Sequence, residues 1–169
     1  MIIAISGSVG SGKTSLAKKL ASKLEGEFEV VHLNEMAQEF KLKDVKELQT
    51  FDFNIDKLIA KVNRMIADAG PKNMIFEGHF AHFINPDLVD FLFVVGRDLK
   101  GLKNEYGVRG YNEQKVKDNL EVESLNLCFY EGIEEGYKEE EQIFLVENSG
   151  TLDELVLKVV RLVEKSGDK

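Results

Sequence analysis

Residues 2–14 read Ile2-Ile3-Ala4-Ile5-Ser6-Gly7-Ser8-Val9-Gly10-Ser11-Gly12-Lys13-Thr14, and the last eight match the pattern G-x-x-x-x-G-K-[ST]. The apolar run Ile2–Ile5 has the character of a buried parallel strand. After Thr14, Leu16, Ala17, Leu20, Ala21 and Leu24 form the apolar stripe of an amphipathic helix. Strand, glycine loop and helix thus follow in the order that phosphate binding requires. The glycines let backbone N–H groups curl around phosphate oxygens, and the helix N-terminus adds partial positive charge. In such a loop Lys13 reaches the β and γ phosphates and the Thr14 hydroxyl ligates Mg²⁺. ATP with Mg²⁺ is therefore the expected nucleotide partner.

The rest of the chain continues the alternation. Val30–Leu33 reads as a second strand, with Asn34 as the cap of a helix through Met36, Ala37 and Phe40. Residues 41–54 read as polar and irregular. A helix over Ile55–Ala69 carries Leu58, Ile59, Val62 and Ile66 on one face and stops at Gly70-Pro71. Strands follow at Met74–Phe76 and Phe91–Val95, then a helix of poorly marked register. Gly107–Asn112 reads as a loop, with one long helix from Glu113 through Val116, Leu120, Leu127 and Phe129. Ile143–Val146 makes the fifth strand, and a last helix starts at Thr151 with Glu154 at capping-box spacing. Five strands alternating with helices predict an α/β fold: a five-stranded parallel sheet with helices on both faces. Its ligands lie beyond the C-terminal strand ends.

Composition narrows the function classes. The 169 residues suit a single domain over 1–169, and 43% hydrophobic with 31% charged is ordinary for a globular chain. No run of eighteen apolar residues marks a membrane span. Met1 leads straight into the first apolar run without a basic segment, so no secretory signal is expected and the chain is assigned to the cytoplasm or the nucleus. A net charge of −8 argues against broad nucleic-acid binding, and no direct sequence-specific binding is expected. It would instead attract a basic protein. Cys128 is the single cysteine and, among Leu125, Leu127 and Phe129, reads as a buried structural thiol.

Three further side chains carry chemistry. Glu77 directly follows an apolar strand, where a carboxylate can hold Mg²⁺ or orient an attacking group. His79 belongs near the phosphates, whereas His82 reads as a packing or surface residue. Zinc is not expected, because no additional ligand lies at matching spacing. Arg109, one of four arginines, sits in the loop Val108-Arg109-Gly110-Tyr111, where a planar guanidinium on a mobile loop can meet transferring phosphoryl oxygens. An idle, exposed arginine is the alternative.

Taken with the loop Gly7–Thr14 and Glu77-Gly78-His79, the stretch Arg109-Gly110-Tyr111-Asn112-Glu113-Gln114-Lys115-Val116 resembles the adenylate kinase isoenzyme 6 family of archaea and eukaryotic nuclei. Asp118–Glu123, Tyr130-Glu131 and Tyr137 extend the likeness, which runs from the first strand to about Lys138. The resemblance implies a P-loop nucleotide kinase with a short monophosphate-binding insertion near residues 32–55 and a short lid near residues 108–118. It implies an adenylate kinase with ATPase activity and a part in small ribosomal subunit maturation through a basic platform ribosomal protein. By position Gly10, Gly12, Lys13, Thr14 and Ser15 match the ATP site, Glu77 and His79 the acidic-x-His motif, and Arg109 the lid arginine.

Two positions depart from the family. Gln38 stands where an arginine is common in the monophosphate-binding helix, and Glu105 where another is common one turn before the lid. Both changes remove positive charge from the acceptor phosphate. AMP or another nucleoside monophosphate is thus one acceptor, and water, in an assembly-factor ATPase, is the other; a small-metabolite kinase is a third reading. The carboxylates of Glu131, Glu134, Glu135, Glu139, Glu140 and Glu141 form a candidate acidic face for the basic partner, placed beside the nucleotide cleft. The alternative is a solvated helix end.

Overall fold

A computed structural model describes residues 1–167. Ile2–Ser6 forms β1, with all five residues buried. Lys13–Ala21 forms α1, Phe28–His32 β2, Asn73–Glu77 β5, Phe91–Gly96 β6 and Ile143–Glu147 β7. The sheet order is β2-β5-β1-β6-β7, and every neighbouring pair is parallel. The predicted five-stranded α/β sheet is therefore present. β1 lies at its centre, where later strands add to either side, so the loop after β1 opens at the switch point of the sheet.

Side-chain alternation divides the interior in two. Ile3 and Ile5 face a core with Leu16 and Leu20 of α1 and with Leu155 and Val159 of α7, which spans Leu152–Gly167. Ile2 and Ala4 face the opposite core, with Leu58 and Val62 of α3 (Ile55–Asp68) and Phe129 of α6 (Leu127–Glu134). The capping box is made: Glu154 Oε2 accepts from the Thr151 N–H at 2.7 Å, and the Glu154 N–H donates to Thr151 Oγ1 at 3.3 Å.

Four local expectations are corrected. Residues 41–54 are not irregular: β3 (Lys41–Val45) and β4 (Thr50–Phe53) pair as an antiparallel hairpin. Phe51 and Phe53 turn inward against the core while β3 stays almost wholly exposed, so only one strand of the ribbon carries a hydrophobic signal. Asn34 does not cap its helix; α2 is a single short piece, Leu33–Ala37, leaving β2 directly from His32. α4 spans Leu99–Val108, capped by Asp98, so Gly107 is helical and the loop is shortened to 109–112. The long helix from Glu113 breaks in two, α5 (Glu113–Ser124) and α6, because Asn126 takes a left-handed conformation at φ 49°.

The chain between α6 and β7 enters a parallel strand, so it lies at the sheet edge opposite the phosphate loop. The exposed carboxylates of Glu134, Glu135, Glu139, Glu140 and Glu141 therefore do not flank the nucleotide cleft, and Glu131 turns instead toward His82. Among the described residues no helix is long and apolar enough to cross a membrane.

Candidate active site

The phosphate loop is shaped by close approach. Gly7 has φ +134°, and a side chain there would run into the Val95 carbonyl of β6. Gly12 has φ +106°, and a Cβ would lie 2.6 Å from Asn148 Nδ2. That amide donates to the Ser11 carbonyl at 2.8 Å, anchoring the loop to the end of β7. On the other side Tyr106 of α4 donates to the Val9 carbonyl at 2.7 Å. Burial raises the Tyr106 phenol to about 12, so it remains a donor.

Lys13 is buried and folds back on its own loop, donating to the Gly7 carbonyl at 2.9 Å and the Ser8 carbonyl at 2.8 Å. Burial lowers its ammonium to about 8, with the Glu77 carboxylate opposing the shift. Thr14 Oγ1 donates to Glu77 Oε1 at 3.1 Å, and the same oxygen lies 2.6 Å from His32 Nδ1. A hydroxyl and a buried carboxylate facing one another at a helix N-terminus are the oxygen donors that Mg²⁺ takes beside phosphates, so the residues present fit that ion.

His79 Nδ1 donates to the Gly7 carbonyl at 3.0 Å. The carbonyl can only accept, which fixes the tautomer with the proton on Nδ1. Burial, with Lys13 adding to it, lowers the His79 pKa below the usual histidine value and keeps the ring neutral. His82 is buried, as a packing residue should be, with Nδ1 2.7 Å from Ser6 Oγ, and burial pushes its pKa down to about 3. Its Nε2 lies 3.0 Å from Glu131 Oε2, off the axis that a hydrogen bond needs. Cys128 is a buried thiol, raised by burial to about 11. His82, Cys128 and Glu131 group within 4.8 Å of one another, a proximity that sequence spacing did not reveal.

Two clefts open above these groups. In one, of about 480 Å³, Gly10, Gly12, Lys13, Thr14, Ser15, Glu77 and Arg109 come together. The other, of about 430 Å³, holds His79 with Gln38, Phe51, Phe53, Phe80 and Lys115. Val9, Asn34 and Arg109 line both, so the clefts share a wall. The Arg109 side chain is partly exposed, and its Nε donates to Glu105 Oε1 at 2.8 Å.

Sequence reasoning missed two residues of the first cleft and one partner of its carboxylate. Arg97 donates to the Gly10 carbonyl at 3.0 Å and lines the cleft beside Arg109. His32 is the partner of Glu77, and Asn148 holds the Ser11 carbonyl. Each sits at or just after the C-terminal end of a strand, and that position in a parallel sheet was the available signal.

The AAA domain family matches residues 3–126. A relative from Thermococcus gammatolerans named "Putative adenylate kinase" is 34% identical over all of this chain and 89% of its own length. One of the same name from Methanococcus maripaludis is 31% identical over 88% of this chain and 80% of its own. Among solved structures, an uncharacterized protein of Eubacterium ventriosum aligns with a TM-score of 0.60 at 16% identity, covering 98% of each chain. A gluconokinase of Sinorhizobium meliloti aligns at 0.59 and 12%, covering 98% of this chain and 93% of its own. At those identities the last two speak for the fold alone.

Proposed function

The chain belongs to the AAA domain family and to the group of archaeal adenylate kinase relatives, and from that premise we propose that it is an ATP-dependent nucleoside monophosphate kinase acting on AMP. The observation that carries this reading is the shared wall: Arg109 lines both clefts, so one guanidinium can reach phosphoryl oxygens passing from the first to the second. The hairpin β3–β4 with α2 serves as the monophosphate-binding insertion, near residues 32–55, and residues 108–118 serve as the lid, all within one domain.

The loop N–H groups and Lys13 bind the ATP phosphates, Lys13 exchanging its two loop carbonyls for phosphate oxygens. Thr14 and Glu77 hold Mg²⁺, which when bound neutralises charge on the phosphoryl oxygens. His79 keeps the loop in shape by its bond to Gly7, while Arg97 and Arg109 supply positive charge around the transferring group. The aromatic residues Phe53 and Phe80, packed edge to face with centroids 4.7 Å apart, offer an apolar wall for the acceptor base.

A second reading, an ATPase whose acceptor is water, is favoured by the Glu105–Arg109 pair and by Gln38 in the acceptor cleft, which together leave less free positive charge for an acceptor phosphate. In that form the protein is an assembly factor, and the exposed glutamates beyond α6 offer a basic ribosomal protein a surface away from the nucleotide. Coupled assays with AMP, CMP and water as acceptors separate the readings. ADP formation that depends on AMP supports the kinase. Phosphate release indifferent to every monophosphate overturns it.

A further inference from the structure

Gln49 lies at the tip of the β3–β4 hairpin, in the left-handed conformation at φ 49° and ψ 43°. Its side chain crosses to the turn that follows Arg109. Nε2 donates to the Gly110 carbonyl at 3.2 Å, and Oε1 accepts from the Asn112 N–H at 2.9 Å. A single amide thus pairs with the backbone on both sides of Tyr111, as a neighbouring strand would. Two further bonds fasten the same place: Asn112 Nδ2 donates to the Glu47 carbonyl at 2.6 Å, and Lys115 Nζ to the Gln49 carbonyl at 2.7 Å. These four hydrogen bonds tie the hairpin to the Arg109 turn and the start of α5, and they bridge over the acceptor cleft. Leu48, Thr50 and Phe51 line it from the hairpin side; Arg109, Tyr111 and Lys115 line it from the other.

We propose that Gln49 is a positioning residue that couples occupancy of the acceptor cleft to the placement of Arg109. A ligand against Phe51 and Phe53 fixes the hairpin; the Gln49 amide then fixes residues 110 and 112, and with them the neighbouring guanidinium. This rests on the kinase reading above. The backbone conformation adds a second argument. A left-handed, non-glycine residue carries strain that glycine or asparagine would relieve, so the glutamine is held there by what its side chain reaches.

The test uses the full chain and three variants. Gln49→Gly keeps the left-handed turn and removes the amide. Gln49→Asn suits the turn but is one methylene too short to span both partners. Gln49→Glu retains the acceptor for the Asn112 N–H and loses the donor to Gly110. Transfer to AMP, hydrolysis without AMP, and exchange of the Asn112 amide proton with and without AMP are measured on each. Coupling predicts that Gln49→Gly and Gln49→Asn raise the KM for AMP about tenfold, as loss of two hydrogen bonds would. They lower kcat for transfer while hydrolysis stays within about twofold, and Gln49→Glu recovers part of the loss. AMP slows Asn112 exchange in the wild type and not in Gln49→Gly. Transfer by Gln49→Gly equal to wild type, or an equal loss of transfer and hydrolysis, overturns the coupling and leaves the kinase reading intact. A wild type that never phosphorylates AMP, yet shows AMP-dependent protection of Asn112 that Gln49→Gly lacks, overturns the kinase reading and upholds the coupling. Absence of both effects in the wild type overturns both.

Discussion

Glu105 Oε1 accepts a hydrogen bond from Arg109 Nε at 2.8 Å, one turn along α4, while its Oε2 lies 3.9 Å from the Arg97 guanidinium. One carboxylate therefore stands between the two arginines that line the phosphate cleft. A partly exposed pair of this kind is worth little to stability, so its main consequence is local charge. An arriving phosphoryl group must compete with Glu105 for both guanidinium groups.

Removing that competitor should favour transfer. Glu105→Gln keeps the shape and an oxygen that can accept from Arg109, but drops the negative charge. Transfer to AMP is expected to rise about threefold to tenfold, the range of a modest gain in transition-state charge stabilisation. A coupled assay reads it directly. A fall in transfer would mean that Glu105 serves to aim Arg109 and that its charge is no obstacle.

The second expectation concerns pH. The Lys13 ammonium, lowered by burial to about 8, carries the charge that attracts ATP only below that pH. ATP affinity should fall as pH rises through about 8, and binding there should take up a proton. Stability runs the other way. Between about 8 and the ordinary 10.5 the unfolded chain holds more protons than the folded one, so folding is favoured as pH rises across that window. Titrating ATP affinity from pH 7 to 9.5 checks the first part. Lys13→Met should abolish ATP turnover, flatten the rise in stability between about pH 8 and 10.5, and leave the melting temperature no lower than that of the wild type.

The phosphate loop was legible in the sequence because its residue types are dictated locally. Gly7 and Gly12 answer to backbone geometry, and Lys13 and Thr14 to phosphate and metal. Glu77 was legible as the polar end of an apolar strand. The hairpin was not, since β3 exposes nearly every residue and Phe51 and Phe53 gain their meaning only when Phe53 packs on Phe80 and Phe51 on Phe53. The break at Asn126 was hidden because the apolar spacing runs through it while the backbone does not. Arg97, His32 and Asn148 act through strand order, and strand order is set by β1 lying between β5 and β6, which no local pattern states.

The Thr14–Glu77–His32 cluster makes its own prediction. Glu77→Gln can still accept from Thr14 and His32, so the fold should hold, but one negative charge facing the cation disappears. The Mg²⁺ concentration for half-maximal turnover should rise about tenfold, which is the loss of one moderate charge interaction. An unchanged Mg²⁺ requirement with a lowered kcat would reassign Glu77 from holding the ion to orienting the acceptor.

Arg109 tests the shared wall between the clefts. Arg109→Lys keeps a positive charge but loses the planar, several-donor geometry that can span oxygens moving from one site to the other. A group that acts on charge developing during transfer lowers kcat and kcat/KM together, whereas a ground-state contact raises KM alone. Because Arg109 lines both clefts, Arg109→Lys is expected to lower kcat about a hundredfold, with ATP affinity in equilibrium binding changed less than about threefold. Steady-state kinetics alongside calorimetric ATP binding separate the two quantities. A large loss of ATP affinity with kcat preserved would make Arg109 a wall of the ATP site alone and would remove the link between the clefts on which phosphoryl transfer depends.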